Sequence, residues 1–188
     1  SELAEVILGL RTPDSGTITL EGKDITRANP RKSLNSGVGF VPEDRMTDGM
    51  VSSFSIADNL VLDQFNAPEF AWGPSRKLGA VARNARAKQE EYDIRLTSIT
   101  DPISSLSGGN QQKVVVAREM SRELKLLVVN QPTRGVDVGS IEFIHRRIVG
   151  VRSAADFVGA RRGCGAGRPD RRHVSRSYRR HCACGYRA

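Results

Sequence analysis

Leu106-Ser107-Gly108-Gly109-Asn110-Gln111-Gln112-Lys113 (LSGGNQQK) sets the terms on which the rest of the chain is read. A serine and two adjacent glycines lead into a run that predicts a helix over about 110–122. Glycine carries no Cβ, so backbone N–H groups in such a turn can approach an anion closely. A helix N-terminus adds unpaired N–H donors and the positive end of the helix dipole. The Ser107 hydroxyl can donate a hydrogen bond to a phosphate oxygen. Ser-Gly-Gly alone recurs in ordinary loops. Leu106 before it and the polar start Gln111, Gln112 and Lys113 after it make the turn a candidate polyphosphate site.

Downstream, Leu126–Val129 is a short all-apolar run of the kind buried inside a parallel sheet. It runs into NQPTRGVDVG, Asn130–Gly139, and Pro132 stops the strand. Gly139 precedes a last helix with Ile141, Ile144 and Ile148 three and four residues apart. A nucleotide hydrolase would hold its metal and activate water at the end of such a strand. Asn130 and Gln131 stand there instead of acids, and a neutral amide supplies neither a metal-ligating charge nor a carboxylate base. Asp137 is placed to cap the last helix.

Upstream, ELAEVILGL (residues 2–10) predicts a helix with Leu3, Val6, Ile7 and Leu10 on one face. Gly9 and then Pro13-Asp14-Ser15-Gly16 stop it. Thr17–Leu20 reads as a strand, Pro30–Leu34 as a helix opened by proline, and Val38–Val41 as a strand ending in Pro42-Glu43-Asp44-Arg45. Thr47–Met50 reads as a turn, and Ser55–Leu62 as a helix with Ile56, Leu60 and Val61 inward. Residues 64–105 are less regular. Phe65, Phe70 and Trp72 are assigned to packing or to a subdomain interface, with a core role favoured, and Arg76–Tyr92 to a solvated helix. Helices alternating with short apolar strands make the fold class α/β.

Composition divides the chain. Of 29 Lys and Arg and 21 Asp and Glu, ten Arg and two Asp fall in residues 150–188, so the net charge of +8 belongs to that stretch. All three cysteines are there as well: Cys164, Cys182 and Cys184. The body has no cysteine, which argues against a disulfide-built module. No apolar run approaches the ~20 residues that span a bilayer, and no leader pattern is visible. A cytosolic setting is the expectation, with docking onto a membrane partner open.

Taken in order, these pieces resemble the ATPase domain of ABC transporters. LSGGNQQK is similar to the family's signature motif, in the form found in the carboxy-terminal half of duplicated importers for simple sugars and nucleosides. Glu43 stands at the Q-loop position, Asn130 and Gln131 at the Walker B acids, and Pro132–Asp137 in the segment leading to the D-loop. SELAEVILGL resembles the helix that follows Walker A, with Ser1 as that motif's final hydroxyl residue. The resemblance covers residues 1–149 and implies a partial P-loop NTPase fold with a helical subdomain at about 64–125. The GxxxxGK[ST] loop of such a fold is not in the chain, so no intact catalytic set is expected.

In the family each nucleotide lies between the P-loop of one half and the signature turn of the other. The resemblance therefore implies ATP and Mg²⁺ as cofactors of the complete assembly. Ser1, Ser107, Gly108, Gly109, Gln111 and Asp137 would lie along nucleotide sites. The implied partners are a second ATPase half, membrane permease subunits and a solute-binding protein, at the cytoplasmic face of the membrane. The segment from Gln64 to Ser105 offers an alternative, a noncatalytic domain that docks onto a permease. His145 falls outside the family's switch position and is assigned to structure or surface.

Beyond Val149 the resemblance stops. The remainder is all Arg and no Lys, rich in Gly, Ala and Cys, and without sustained periodicity. It is expected to be disordered, and its composition suggests out-of-frame translation of a GC-rich gene. Cys164, His173, His181, Cys182 and Cys184 supply zinc-ligand types, but Cys-Ala-Cys lacks knuckle spacing. The Arg clusters raise a basic nucleic-acid-binding protein as a further alternative. Nonspecific, salt-dependent attraction is the expected behaviour, with no specific nucleic acid as a partner.

Overall fold

The computed structural model describes residues 2–150 and the backbone of the strand at 156–159. Helix α1 (Glu2–Ile7) leads to a hairpin of β1 (Thr19–Leu20) and β2 (Lys23–Asp24), then to α2 (Pro30–Asn35). Asn29 caps α2, its side-chain oxygen accepting the Lys32 N–H at 2.8 Å. Strand β3 (Val38–Val41) runs into a single π turn, Arg45–Gly49. Helix α3 (Ile56–Asn59), the hairpin β4 (Ala71–Trp72) and β5 (Ser75–Arg76), and α4 (Leu78–Glu91) form the segment between β3 and the signature turn. Helix α5 (Gly108–Glu119), β6 (Leu126–Val129), α6 (Val138–Gly150) and β7 (Asp156–Gly159) complete the order.

The parallel sheet has the order β3-β6-β7, with Val38 opposite Leu126 and Leu126 opposite Asp156. All four β6 side chains are buried. Leu126 and Val128 pack with Ala4, Ile7, Ile25 and Ala28 on one face. Leu127 and Val129 pack with Ile56, Tyr92, Ile103, Val114 and Ile144 on the other. Two covered faces explain an unbroken apolar strand rather than an alternating one.

Three sequence expectations need correction. Helix α1 stops at Ile7 and buries Ala4 and Ile7, while Leu3 and Leu10 are exposed. It stops because Gly9 turns at φ +74°, where a Cβ would lie 2.1 Å from the Ala28 carbonyl oxygen. Of the three aromatics assigned to packing, Phe70 is buried, but Phe65 and Trp72 are exposed. The stretch after residue 149 read as patternless, yet its Asp156–Gly159 forms the third strand beside β6. Ser1 and the zinc-type residues Cys164, His173, His181, Cys182 and Cys184 lie outside the described residues. Among the described residues no cluster of His, Cys, Asp and Glu could hold a metal, and no helix is long and apolar enough to cross a membrane.

Candidate functional site

Ser107 is extended at φ −61° and ψ 154° and opens α5. The first intrahelical bond is the Gln111 N–H to the Ser107 carbonyl at 2.9 Å, which leaves the N–H groups of Gly108, Gly109 and Asn110 ahead of the ladder. The Ser107 side chain does not cap its own helix. It is exposed, and its Oγ accepts from Asn110 Nδ2 at 3.0 Å, so its hydroxyl hydrogen stays free to donate. Ser107 borders a cleft of about 530 Å³ that also takes in Arg95, Asn110, Lys113, Asp137 and Arg146.

The two glycines are hemmed in by the chain itself. Gly108 faces the Arg45 guanidinium and the Gly135 carbonyl, and Gly109 faces Asp137 and Ser140. Asp137 caps α6: its Oδ1 accepts the Ser140 N–H at 3.0 Å and its Oδ2 the Ser140 hydroxyl at 2.9 Å. Those two bonds hold its carboxyl below the usual carboxylate range. The structure thus brings Ser107, Gly108, Gly109 and Asp137 to one place.

Gln111 is turned inward. It is buried, with Oε1 accepting from Arg45 Nε at 3.3 Å and Nε2 donating to the Ile103 carbonyl at 3.4 Å. Both ends of its side-chain amide are thus held within the protein, where they brace the turn. Lys113 is also turned inward. Its ammonium donates to the Asp93 carbonyl at 2.6 Å and carboxylate at 3.1 Å, and lies 4.8 Å from the centre of the Phe143 ring. His145 is exposed on α6.

Glu43, Asn130 and Gln131 gather at the C-terminal ends of β3 and β6. Glu43 Oε1 accepts from Arg134 Nη1 at 2.7 Å, and Oε2 from Asn130 Nδ2 at 3.4 Å. Gln131 is exposed and left-handed at φ 45°. This group does not fit Mg²⁺. The Glu43 carboxylate is paired with a guanidinium, and Asn130 turns its donor, not its oxygen, toward it. Sequence reasoning missed Arg45 and Arg134. Arg45 stood unassigned in the Pro42–Arg45 run, and Arg134 in the Pro132–Asp137 run. Nothing local marked either as a contact across roughly ninety residues.

A protein-family model described as ABC transporter matches residues 1–134. The chain belongs to the ABC transporter family. It is 45% identical over 159 residues to the guanosine import ATP-binding protein NupO of Bacillus subtilis, covering 84% of this chain and 31% of that protein. It is 45% identical over 158 residues to the nucleoside import ATP-binding protein NupA of Lactococcus lactis, again 84% and 31%. It is 46% identical over 154 residues to the glucose import ATP-binding protein TsgD13 of Haloferax volcanii, covering 81% and 28%. The chain therefore spans about a third of the length of these relatives.

Among solved structures, a dimeric ATP-binding cassette in a post-hydrolysis state with ADP and phosphate superposes with a TM-score of 0.67 at 17% identity, covering 85% of this chain and 68% of that one. A nucleotide-free cassette superposes with a TM-score of 0.65 at 22% identity, covering 86% and 65%. Both establish the ABC ATPase cassette fold, here partly covered. Alignments of 159 residues and a strand at 156–159 carry the likeness past residue 149.

Proposed function

We propose that this chain is part of the ATP-binding subunit of an importer for nucleosides or simple sugars. In that role it supplies its signature turn to an ATP site whose P-loop and metal belong to a partner half. The observation that carries the reading is the asymmetry between its two candidate sites. At Ser107 an exposed hydroxyl stands beside three N–H groups outside the helix ladder, the kind of donor set that a terminal phosphate needs. At Glu43 the carboxylate is spent on Arg134 and the strand end carries amides.

Bound ATP would be the phosphoryl donor. This chain's share is to position and stabilise charge, which is how phosphoryl transfer is chiefly catalysed. Ser107 Oγ and the Gly108 and Gly109 N–H groups would hold the phosphate, and Asp137, as the cap of α6, would brace the turn from behind. Mg²⁺ would be held by the partner half. The names of NupO, NupA and TsgD13 support the solute class. Membrane permease subunits and a solute-binding protein would complete the assembly, with this chain peripheral at the cytoplasmic face. The helical subdomain, placed at about 64–125, would dock on the permease.

The test is ATP hydrolysis by the assembled protein carrying single changes. Ser107→Ala is expected to lower kcat by about a hundredfold or more, as removal of one such donor does elsewhere. Gln131→Ala is expected to leave kcat within about twofold, since an amide offers no general base to lose. A large loss from Gln131→Ala beside full activity in Ser107→Ala would reverse the assignment.

A further inference from the structure

Arg45 stands where three segments of the cassette meet. It lies two residues after Glu43 and opens the π turn Arg45–Gly49, a rare local geometry often found at functional sites. Asp44 fixes that turn by accepting the Met46 N–H at 2.9 Å and the Thr47 hydroxyl at 3.1 Å. From this anchored base the Arg45 guanidinium reaches Gln111 Oε1 at 3.3 Å, the Arg134 carbonyl at 3.0 Å and the Gly135 carbonyl at 3.5 Å. A Cβ added at Gly108 would sit 2.6 Å from Arg45 Nη2. One planar side chain thus touches the helix entrance, the loop behind it, and the backbone of the residue paired with Glu43.

We propose that Arg45 is a positioning residue that ties the Glu43 segment to the signature turn and so fixes where Ser107 presents its hydroxyl. The chain of contacts is continuous. Glu43 holds the Arg134 side chain, Arg45 holds the Arg134 carbonyl, and Arg45 holds Gln111 one turn into α5. A change at Glu43 is therefore felt at Ser107 without any contact between them. The guanidinium suits the task because its fork offers several donors in one plane, whereas an ammonium is a point charge that serves one acceptor at a time. The inference rests on the proposed role of Ser107 and adds to it a residue that touches no phosphate.

The experiment measures kcat, KM for ATP and Tm in the assembled ATPase for Arg45→Met, Arg45→Lys, Gln111→Met and the double change Arg45→Met with Gln111→Met. Ser107→Ala serves as reference. Arg45→Met is expected to lower kcat by about ten- to a hundredfold, the scale of a misplaced donor. KM should move by less than about threefold, because the partner's P-loop still binds nucleotide. Arg45→Lys should recover only part of kcat, and the double change should be no worse than Arg45→Met alone.

If Arg45→Met does not fold, the same comparison is made with Arg45→Lys in the presence and absence of Gln111→Met. The proposal is overturned if kcat survives the Arg45 changes, or falls only in step with Tm, while Ser107→Ala abolishes hydrolysis. If Ser107→Ala itself leaves hydrolysis intact, the reading of the signature turn fails first, and this inference falls with it.

Discussion

A methyl group added at Gly109 would lie 2.3 Å from Asp137 Oδ2 and 2.4 Å from Ser140 Oγ. Both atoms belong to the cap of α6, so the clash cannot be relieved by swinging one long side chain aside. Gly109→Ala is expected to destabilise the protein by about 1–3 kcal/mol, the usual range for overpacking. Urea denaturation of the two proteins checks this, and an unchanged midpoint would show that the α5–α6 contact is looser than its geometry. The glycine was legible in the sequence, but its reason was only half so. The motif said that a phosphate needs room there. The structure adds that Asp137, 28 residues later, needs the same room from behind. Gln111 shows the converse. Its place in the motif suggested a ligand, and only the packing of Ile103 and Arg45 around it reveals an inward side chain.

Helix α5 is the element the sequence described least well, because almost all of it is buried, charges included. Arg118 and Arg122 both bind Glu119, and Glu119 also accepts the Phe40 N–H of β3 at 3.1 Å. This cluster reads as a poor amphipathic stripe in a periodicity count, yet it locks α5 to the sheet through paired charges. Asp63 completes it and has the least favourable setting. Burial and the Glu119 charge push its carboxyl above the ordinary 3.8. Arg122 Nε lies 2.5 Å away but is not aligned as a hydrogen bond, so it offsets only part of that rise.

A raised folded-state value means that the folded protein binds more protons than the unfolded chain just above pH 3.8, so stability falls as pH rises through that window. Asp44, Asp93 and Asp137 are shifted the other way, by the Met46 N–H, by Lys113 and by the Ser140 N–H respectively. Their contribution is lost as pH falls below 3.8. Asp63→Asn is expected to flatten the decline above pH 3.8 and to leave the acid-side loss in place. Denaturation curves across pH 3–7 test it, and an unchanged slope on the upper side would contradict the assignment. Strands β3 and β6, by contrast, matched the sequence residue for residue, because an all-apolar run of four has few other places to go.

At the scale of the whole molecule, the large apolar side chains left exposed among the described residues are informative. Trp72 is 82% exposed at the tip of the β4–β5 hairpin, and Leu78 is 70% exposed at the start of α4. Both lie in the segment between the sheet and the signature turn, which is the part proposed to meet a permease. Large apolar side chains left in water on one segment are a feature of interaction surfaces. The sequence favours a core role for Trp72 over a subdomain interface; its exposure follows from the hairpin, which lifts it clear of the core.

Trp72 is the chain's single tryptophan, so its fluorescence reports this spot alone. The folded chain is expected to emit like free tryptophan in water and to be fully open to a soluble quencher. Assembly with the permease subunits should shift the emission to shorter wavelength and shield it, and Trp72→Ser should weaken assembly by about tenfold, the cost of one moderate anchor residue. Emission already shifted and shielded in the dilute, unassembled protein would mean that the hairpin packs elsewhere. Emission that stays unshifted in a fully assembled complex would place the docking surface on another face of the cassette.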